Sequence, residues 1–225
     1  MRRFALISKA RSLTYRELND RADQLAQVLQ QKGVAANVSV AVWCDRPIDR
    51  SVAILGILKT GGTVLPLDRS TDSLERVAQT LRTVQPHLIL TDADRRSELP
   101  PDAAQIVVLD AETAIVPHSR NPVAIAADTP AFLLDAGLNR VMLTHGNLVN
   151  ASTAIAQACD LTEGDRVFAM GIDASQLLCR LESRSRCGCA RTGFQSRQCF
   201  EALGSPPPKF WGTSGVLKVP QFWGI

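Results

Sequence analysis

The sequence has no hydrophobic run long enough to cross a membrane. No stretch approaches the roughly 18 consecutive apolar residues that a spanning helix needs. The amino-terminal segment is apolar only from Phe4 to Ile7, shorter than the core of about 7–15 residues in a secretory signal. We therefore expect no membrane contact and a cytoplasmic location. There the six cysteines are expected to be reduced thiols: Cys44, Cys159, Cys179, Cys187, Cys189 and Cys199.

The sequence also lacks the evenly spread positive charge of a nucleic-acid-binding protein. The net charge is +3, and residues 180–225 hold seven Lys/Arg against two Glu, while the rest holds 18 basic and 20 acidic residues. The arginines of this segment lack the regular aromatic interleaving or the fold that would make a specific site. Its Cys187-Gly-Cys189 pair does not have the usual spacing of zinc ligands. We expect neither a nucleic-acid partner nor a metal site.

What is present is a repeated alternation of helical and strand patterns. Thr14 and Glu17 form a capping-box motif that predicts a helix ending near Gly33. Pro47 suits the first turn of a second helix, and a third is predicted from Ser73 to Val84. Strands are predicted at Val38–Trp43, Thr63–Leu67, His87–Thr91, Gln105–Leu109 and Arg166–Met170. Alternating helices and apolar strands predict an α/β fold with a mostly parallel sheet.

Proline gives the strand Thr63–Leu67 a special position. Pro66 cannot donate a hydrogen bond to a neighbouring strand. This strand is therefore expected at a sheet edge, or to end at its proline.

The stretch Ala131–Val149 is where chemistry is most expected. Two apolar runs, Ala131–Leu134 and Val141–Thr144, have the length of buried strands, and helix-starting residues follow from Thr144. A glycine- and hydroxyl-rich loop with a lysine between them could hold a phosphate. The actual loop, Asp135-Ala-Gly-Leu-Asn-Arg140, has one glycine, no Ser or Thr and no Lys. It is predicted to be an ordinary turn.

After Cys179 the composition changes and helical or alternating periodicity is lost. Six of the eleven aromatic residues lie in residues 180–225, and three prolines interrupt the chain at Pro206–Pro208. We expect residues 1–178 to form one partial domain. Residues 179–225 are expected to be irregular, as disordered chain or as sequence read in a different frame.

Several of these stretches together resemble the adenylate-forming enzymes, and most closely the amino-acid adenylation domains of nonribosomal peptide synthetases. Residues 13–18 (LTYREL) are similar to the first core motif of that family, and residues 57–68 (ILKTGGTVLPLD) are similar to the second. Residues 141–148 (VMLTHGNL) look like the segment after its phosphate-binding loop. Residues 172–175 (IDAS) resemble a motif whose aspartate binds the substrate amino group. The resemblance covers roughly residues 10–178.

The resemblance implies a reaction, a set of ligands and a set of residues. The family activates a carboxylic acid with ATP and Mg²⁺ and passes the acyl group to a carrier's phosphopantetheine thiol. It implies an amino acid or another carboxylate as substrate, Thr144 and His145 as vestigial nucleotide-binding residues, and Asp173 as the amine-binding carboxylate. The phosphate-binding lysine is missing, and the sequence ends before the family's ribose-binding aspartate and catalytic lysine. We expect no catalytic residue and weak or absent activity.

Two other functions remain open from the sequence. One is a fragment of an acyl-CoA ligase or fatty-acyl-adenylating enzyme, which Asp173 disfavours because an apolar acid pocket has no need of that carboxylate. The other is a non-catalytic remnant that binds partners through apolar surface left uncovered.

Overall fold

A computed structural model of the chain shows an α/β fold and describes residues 4–8, 11–68, 72–100, 104–109, 123–135, 140–158, 166–169 and 186–189. Within these ranges the strands are β1 (Phe4–Ile7), β2 (Ser12–Thr14), β3 (Ser39–Trp43), β4 (Thr63–Pro66), β5 (Leu88–Thr91), β6 (Gln105–Val108), β7 (Pro130–Asp135), β8 (Arg140–Thr144), β9 (Arg166–Ala169) and β10 (Arg186–Cys189). The helices are α1 (Tyr15–Gln31), α2 (Pro47–Lys59), α3 (Leu74–Val84) and α4 (His145–Ala158), with a 3-10 helix at Ala93–Glu98.

The larger sheet of the described part has the strand order β6-β5-β3-β4-β7-β8. All of its neighbouring pairs are parallel except β7 and β8, which are antiparallel. The prediction of a mostly parallel sheet is confirmed. The chain places β4 on one side of β3 and then crosses to place β5 on the other side. The winding therefore reverses between β3 and β5, which makes this point a topological switch.

A smaller sheet has the order β2-β1-β10-β9. Its strand β10 pairs in parallel with both β1 and β9. The sequence analysis predicted no regular element after residue 178, so β10 is a strand that it did not anticipate.

The helix starts follow the predicted local chemistry. The Thr14 hydroxyl accepts the Glu17 N–H at 3.2 Å, and a Glu17 carboxylate oxygen accepts the Thr14 N–H at 2.7 Å, so the capping box is present. The Ser73 hydroxyl caps α3 by accepting the Arg76 N–H. Pro47 is the first residue of α2. Gly33 has a φ of 86°, a left-handed conformation that glycine adopts without strain after a helix end.

The core lies on both faces of the larger sheet. On one face, α1, α2 and the first turns of α4 bury leucines and isoleucines against residues such as Val40, Val64 and Leu88. On the other face, α3 packs against alternate residues of the same strands, among them Trp43 and Leu65. Successive strand residues point to opposite faces. These strands are buried on both faces, which explains their continuous apolar runs.

The two helices α1 and α2 approach each other closely at a glycine. A Cβ built on Gly56 would lie 2.9 Å from Leu25 Cδ2 and 3.0 Å from Leu25 Cγ. At the end of α2, Lys59 Nζ donates to Asp23 Oδ1 at 2.6 Å and to Asn19 Oδ1 at 2.7 Å on α1. A close helix contact and an ion pair therefore fix α2 on α1.

One strand prediction holds only in its second alternative, a strand that ends at its proline, and another needs correction. The strand β4 is not at a sheet edge, because it lies between β3 and β7, and its proline is tolerated because Pro66 is the last residue of the strand. The strand β8 is not buried. It is an end strand of the larger sheet, and Val141 and Met142 are exposed.

Candidate functional site

The strand–loop–strand unit predicted as the centre of the chemistry is an antiparallel pair. Leu133 pairs with Met142, Leu134 with Val141, and Asp135 with Arg140. The last pair closes the ladder and leaves residues 136–139 as the connection, which lie outside the described residues. Asp135 ends β7 at the carboxyl edge of the parallel sheet, where ligands of open α/β folds bind.

Thr144 is fully used as the cap of α4. Its N–H donates to Asn147 Oδ1 at 3.0 Å, and the Asn147 N–H donates to Thr144 Oγ1 at 3.2 Å. This is the reciprocal arrangement of a capping box, with asparagine in place of Glu or Gln. The predicted helix start is confirmed. The Thr144 hydroxyl therefore has a structural role in this chain.

His145 is the first residue of α4, and its side chain is half-buried. The His145 N–H donates to Thr129 O at 3.0 Å, and Nε2 is buried without a hydrogen-bond partner in the described part of the chain. Burial lowers the pKa of the imidazole below its usual 6.5, because desolvation disfavours the charged form. At neutral pH the side chain is therefore uncharged and offers no cation to a phosphate.

The amino-terminal N–H groups of α4 are occupied by the protein itself. His145 donates to Thr129 O, Gly146 donates to Ala127 O at 2.7 Å, and Asn147 donates to Thr144 Oγ1. A helix amino terminus binds anions through these free N–H groups. With all three engaged, the start of α4 does not present an anion site.

Thr144 and His145 also lie away from the loop that the resemblance places beside them. Because β8 runs antiparallel to β7, its carboxyl end is at the opposite edge of the sheet, next to Pro130. At about 3.3 Å per residue, β8 separates Arg140 from Thr144 by about 13 Å. The structure thus does not bring the loop and these two residues to one point.

Asp92 forms a polar centre at the topological switch that the sequence analysis did not single out. It follows β5, is 1% exposed, and Oδ2 accepts the N–H of Asp45 at 2.8 Å and of Arg46 at 3.3 Å after β3. Asp92 Oδ1 is buried without a hydrogen-bond partner among the described atoms. Two features of the sequence could have indicated this centre. Asp92 directly follows one predicted strand, and the charged residues Asp45 and Arg46 follow another.

The charges around Asp92 are satisfied mostly by one another. Arg46 donates through Nη2 to Leu109 O at 3.1 Å and lies 2.9 Å from Asp49 through Nε. Arg95 pairs with Asp45 and with Glu98. The contacts of these two guanidinium groups therefore connect the chain segments that follow β3, β5 and β6.

Burial also raises the pKa of two groups near Asp92. Desolvation raises the pKa of the Cys44 thiol well above its usual value, and the Asp92 carboxylate adds to this. The thiol is therefore protonated at neutral pH and unreactive as a nucleophile. Desolvation also raises the pKa of Asp49, against the opposing effect of Arg46.

Other expectations fall partly or wholly outside the described ranges. Asp173 is among residues 170–185, of which the structure describes nothing. Within the described ranges, no group of three or more His, Cys, Asp or Glu side chains is placed to hold a metal ion. None of the helices in those ranges is both long and apolar enough to cross a membrane.

The chain is similar in sequence to nonribosomal peptide synthetases. Tyrocidine synthase 2 of Brevibacillus parabrevis is 34% identical over 155 residues, which are 66% of this chain and 4% of that protein. The dimodular nonribosomal peptide synthase of Bacillus subtilis is 30% identical over 179 residues, 75% of this chain and 8% of that protein. The chain therefore spans only a small part of the length of these curated relatives.

The fold is shared with solved synthetase structures. The AMPPNP-bound form of the nonribosomal peptide synthetase FmoA3 superimposes with a TM-score of 0.76 at 24% identity, over 86% of this chain and 21% of that chain. The N-terminal subdomain of NpsA from Klebsiella oxytoca gives a TM-score of 0.74 at 21% identity, over 90% of this chain and 55% of that chain. At these identities the likeness is one of fold.

A sequence model of one family covers most of the described sheet and its helices. The model described as AMP-binding enzyme matches residues 1–134, more than half of the chain. This range contains α1 to α3 and strands β1 to β6, and it ends just before the Asp135–Arg140 pair. The protein thus belongs to the AMP-binding enzyme family, as an adenylation-domain-like segment related to nonribosomal peptide synthetases.

Proposed function

We propose that this chain provides part of the scaffold of an amino-acid adenylation domain, and that the 225-residue chain does not itself form an acyl-adenylate at a measurable rate. The reaction of the whole domain is ATP-dependent activation of a carboxylate. The scaffold is supported by the family match and by the mostly parallel sheet. The inactivity rests on the connection between β7 and β8.

The pairing of Asp135 with Arg140 is the observation that carries the proposal. It leaves Ala136, Gly137, Leu138 and Asn139 between the paired residues. Binding a triphosphate requires several converging N–H groups, hydroxyls or cations that face one anion. These four residues provide no hydroxyl, no cationic side chain and one glycine. A carboxylate, Asp135, adjoins them.

ATP and Mg²⁺ are the cofactors of the proposed intact domain, and the described residues of this chain do not fit them. The N–H groups at the start of α4 are bonded within the chain, His145 is uncharged at neutral pH, and Thr144 is used as a cap. Transition states of phosphate chemistry need preorganised positive charge or N–H donors. These residues do not supply that charge.

The substrate and the acceptor of the intact domain also remain proposals. Asp173 is proposed to bind the amino group of an amino acid, since a carboxylate suits an ammonium ion. A carrier domain is the proposed acceptor of the acyl group. The di-domain NpsA-ThdA, an artificial fusion of adenylation and PCP domains, has a similar fold over 89% of this chain, with a TM-score of 0.73.

ATP–pyrophosphate exchange tests the inactivity. The chain is incubated with ATP, Mg²⁺, labelled pyrophosphate and a panel of amino acids and fatty acids, beside an active adenylation enzyme as assay control. We expect incorporation equal to that of a protein-free blank for every acid. Exchange that requires both the chain and one particular acid would overturn the proposal. An amino acid as that substrate would favour the peptide-synthetase relationship, and a fatty acid would favour an acyl-CoA ligase.

A further inference from the structure

The start of α4 is held on the segment that leads into β7 by two backbone hydrogen bonds. The His145 N–H donates to Thr129 O at 3.0 Å, and the Gly146 N–H donates to Ala127 O at 2.7 Å. The approach is close, because a Cβ built on Gly146 would lie 3.0 Å from the same Ala127 oxygen. These two hydrogen bonds form a latch, the α4 latch, between the helix and the chain before β7.

One of the two latch residues carries a titratable ring with an unsatisfied nitrogen. The His145 side chain as a whole is half-buried, but its Nε2 is buried and has no hydrogen-bond partner among the described atoms. In a neutral imidazole one ring nitrogen carries no proton, whereas in the imidazolium both nitrogens are donors. A proton taken up in place therefore leaves a buried, positively charged N–H without an acceptor, which is unfavourable.

The position of the ring on the helix adds to this cost. His145 is the first residue of α4, and the dipole of a helix disfavours positive charge at its amino terminus. The helix has no acidic residue in its first turn that would offset the charge. Burial and the helix dipole thus both oppose an imidazolium at this place while the latch is closed.

The charged groups of the neighbouring elements do not compensate an imidazolium. Strands β7 and β8 pack against α4, and their charged residues, Asp135 and Arg140, pair at the far end of the ladder from His145. The segment that holds the latch acceptors has one titratable residue, Asp128, which is exposed. Burial is the cause of the lowered pKa of His145, and none of these three groups adds to it or offsets it. Within the described residues, the ring therefore has no carboxylate partner.

We propose that the α4 latch is an acid-sensitive switch: when His145 takes up a proton, its ring moves into water and both latch bonds break, while the larger sheet stays folded. The ring is attached to the first residue of the helix, so the opening of one helical turn is sufficient to expose it. Helix ends open at a lower free energy than the core strands of a sheet. The switch therefore acts locally, in addition to any effect of the histidine on global stability.

The direction of the switch follows from proton binding. The closed form has a lowered pKa at His145, and the open form has an ordinary one of about 6.5. Below about pH 6.5 the open form binds more protons, so the ratio of open to closed chains should rise by up to about tenfold per pH unit. The rise ends at the lowered pKa, where both forms are protonated. Above about pH 6.5 the latch stays closed.

Amide hydrogen exchange of the whole chain, followed by NMR from pH 5 to pH 7.5, tests the switch. The exchange rates are divided by the intrinsic chemical rate at each pH, so that only the opening of the structure remains. We expect the His145 and Gly146 amides to lose protection as the pH falls below 6.5. The amides of Val40 and Ile89, in the central strands β3 and β5, should keep theirs.

Two variants and one further measurement assign the effect to the ring. His145→Gln removes the titration, so its latch amides should show the same protection at every pH. His87→Gln is the matched control, because His87 is exposed and its Nε2 bonds to Lys32 O at 2.7 Å, and it should behave as the parent chain does. In the parent chain the NMR signal of the His145 ring reports its protonation over the same pH range. This comparison needs no variant, so it decides the question even if His145→Gln fails to fold.

Each outcome counts for or against the switch. Loss of protection at the two latch amides that follows protonation of the ring, in the parent chain and in His87→Gln, supports it. Protection that does not change with pH overturns it, as does a loss shared equally by Val40 and Ile89, which would be global unfolding. A ring that becomes protonated while the latch amides stay protected also overturns it. The same holds for a folded His145→Gln variant that still loses protection in acid.

Discussion

The carboxylate of Asp92, at the end of β5, accepts the backbone N–H of Asp45, at the end of β3, over 2.8 Å. The same oxygen accepts the N–H of Arg46 at 3.3 Å. One buried side chain thus joins the two strands between which the winding of the sheet reverses. It also satisfies two part-buried N–H groups of the turn that leads into α2.

Replacing Asp92 by Ala should destabilise the fold by about 1–3 kcal/mol, because it leaves two part-buried N–H groups without this acceptor. Asp92→Asn keeps the size and one carbonyl oxygen, so it should cost less. Urea denaturation followed by fluorescence of the buried Trp43 measures the difference, in a background where Trp211 and Trp223 are replaced by Phe. Equal stability of Asp92→Ala and the parent would show that these hydrogen bonds do not support the turn.

The contact between Gly56 and Leu25 predicts a second destabilising change. Gly56→Ala improves helix propensity by about 1 kcal/mol, but its Cβ would lie 2.9 Å from Leu25 Cδ2. Overpacking typically costs about 1–3 kcal/mol. We expect a net loss of stability for Gly56→Ala.

Shortening Leu25 should relieve this overpacking. In a double-mutant cycle by urea denaturation, Gly56→Ala should cost less in a Leu25→Ala background than alone. Additive effects of the two substitutions would argue against the close contact between α1 and α2.

The capping box of α1 predicts an effect at its hydroxyl. Thr14→Ala removes the acceptor of the Glu17 N–H and should cost about 1 kcal/mol. Thr14→Ser keeps the hydroxyl and serves as the matched control. It should lower the free energy of unfolding by at most a few tenths of a kcal/mol. The midpoint of urea unfolding at constant slope distinguishes the two. A Ser variant as unstable as the Ala variant would point to the lost methyl group rather than the cap.

His145 should make stability depend on pH. Its pKa is lowered in the fold by burial, so the unfolded chain binds more protons at pH values between the folded pKa and about 6.5. Its contribution is fully present above about pH 6.5 and falls as the pH drops through that window. His145→Gln removes this titration.

Urea unfolding from pH 5 to pH 8 checks the histidine. Stability of the parent chain should fall more steeply below pH 6.5 than that of His145→Gln. Asn150→Gln, at an exposed position of the same helix, should follow the parent chain. Parallel curves for the parent and His145→Gln would mean that the imidazole is not buried in the folded chain.

Much of the fold was predictable from local chemistry. Thr14 with Glu17, Ser73 and Pro47 mark helix starts by hydrogen bonds or by a fixed φ, which involve only neighbouring residues. The apolar strands identified the sheet because strands buried on both faces need no alternation. The family resemblance, carried by residues 13–18 and 57–68, is confirmed by the match over residues 1–134.

The failures concern contacts between residues far apart in sequence. Pro66 indicated either an edge strand or a strand that ends at its proline, and only the second is correct, because the position of a strand in a sheet is decided by its neighbours. The apolar run Val141–Thr144 indicated burial, yet β8 lies at the end of the sheet. The role of Asp92 depends on residues 46 and 47 positions away, which no local pattern reveals.

At the candidate site, too, local sequence patterns and contacts between distant residues differ in how far they can be predicted. The prediction that the loop from Asp135 to Arg140 holds no phosphate rests on its residue types alone and stays a prediction. The separation of Thr144 and His145 from that loop could not be predicted in this way, because it follows from the antiparallel direction of β8. The same hydrogen-bond geometry that starts α4 also occupies its N–H groups.

The central claim, that this scaffold lacks the means to hold a triphosphate, is tested most directly by titrating the purified chain with ATP and Mg²⁺ in a calorimeter. We predict no saturable heat up to about 1 mM ATP, which corresponds to binding weaker than about −4 kcal/mol. Saturable binding of one ATP per chain at micromolar concentrations, lost when Gly137, Leu138 and Asn139 are all replaced by alanine, would contradict it.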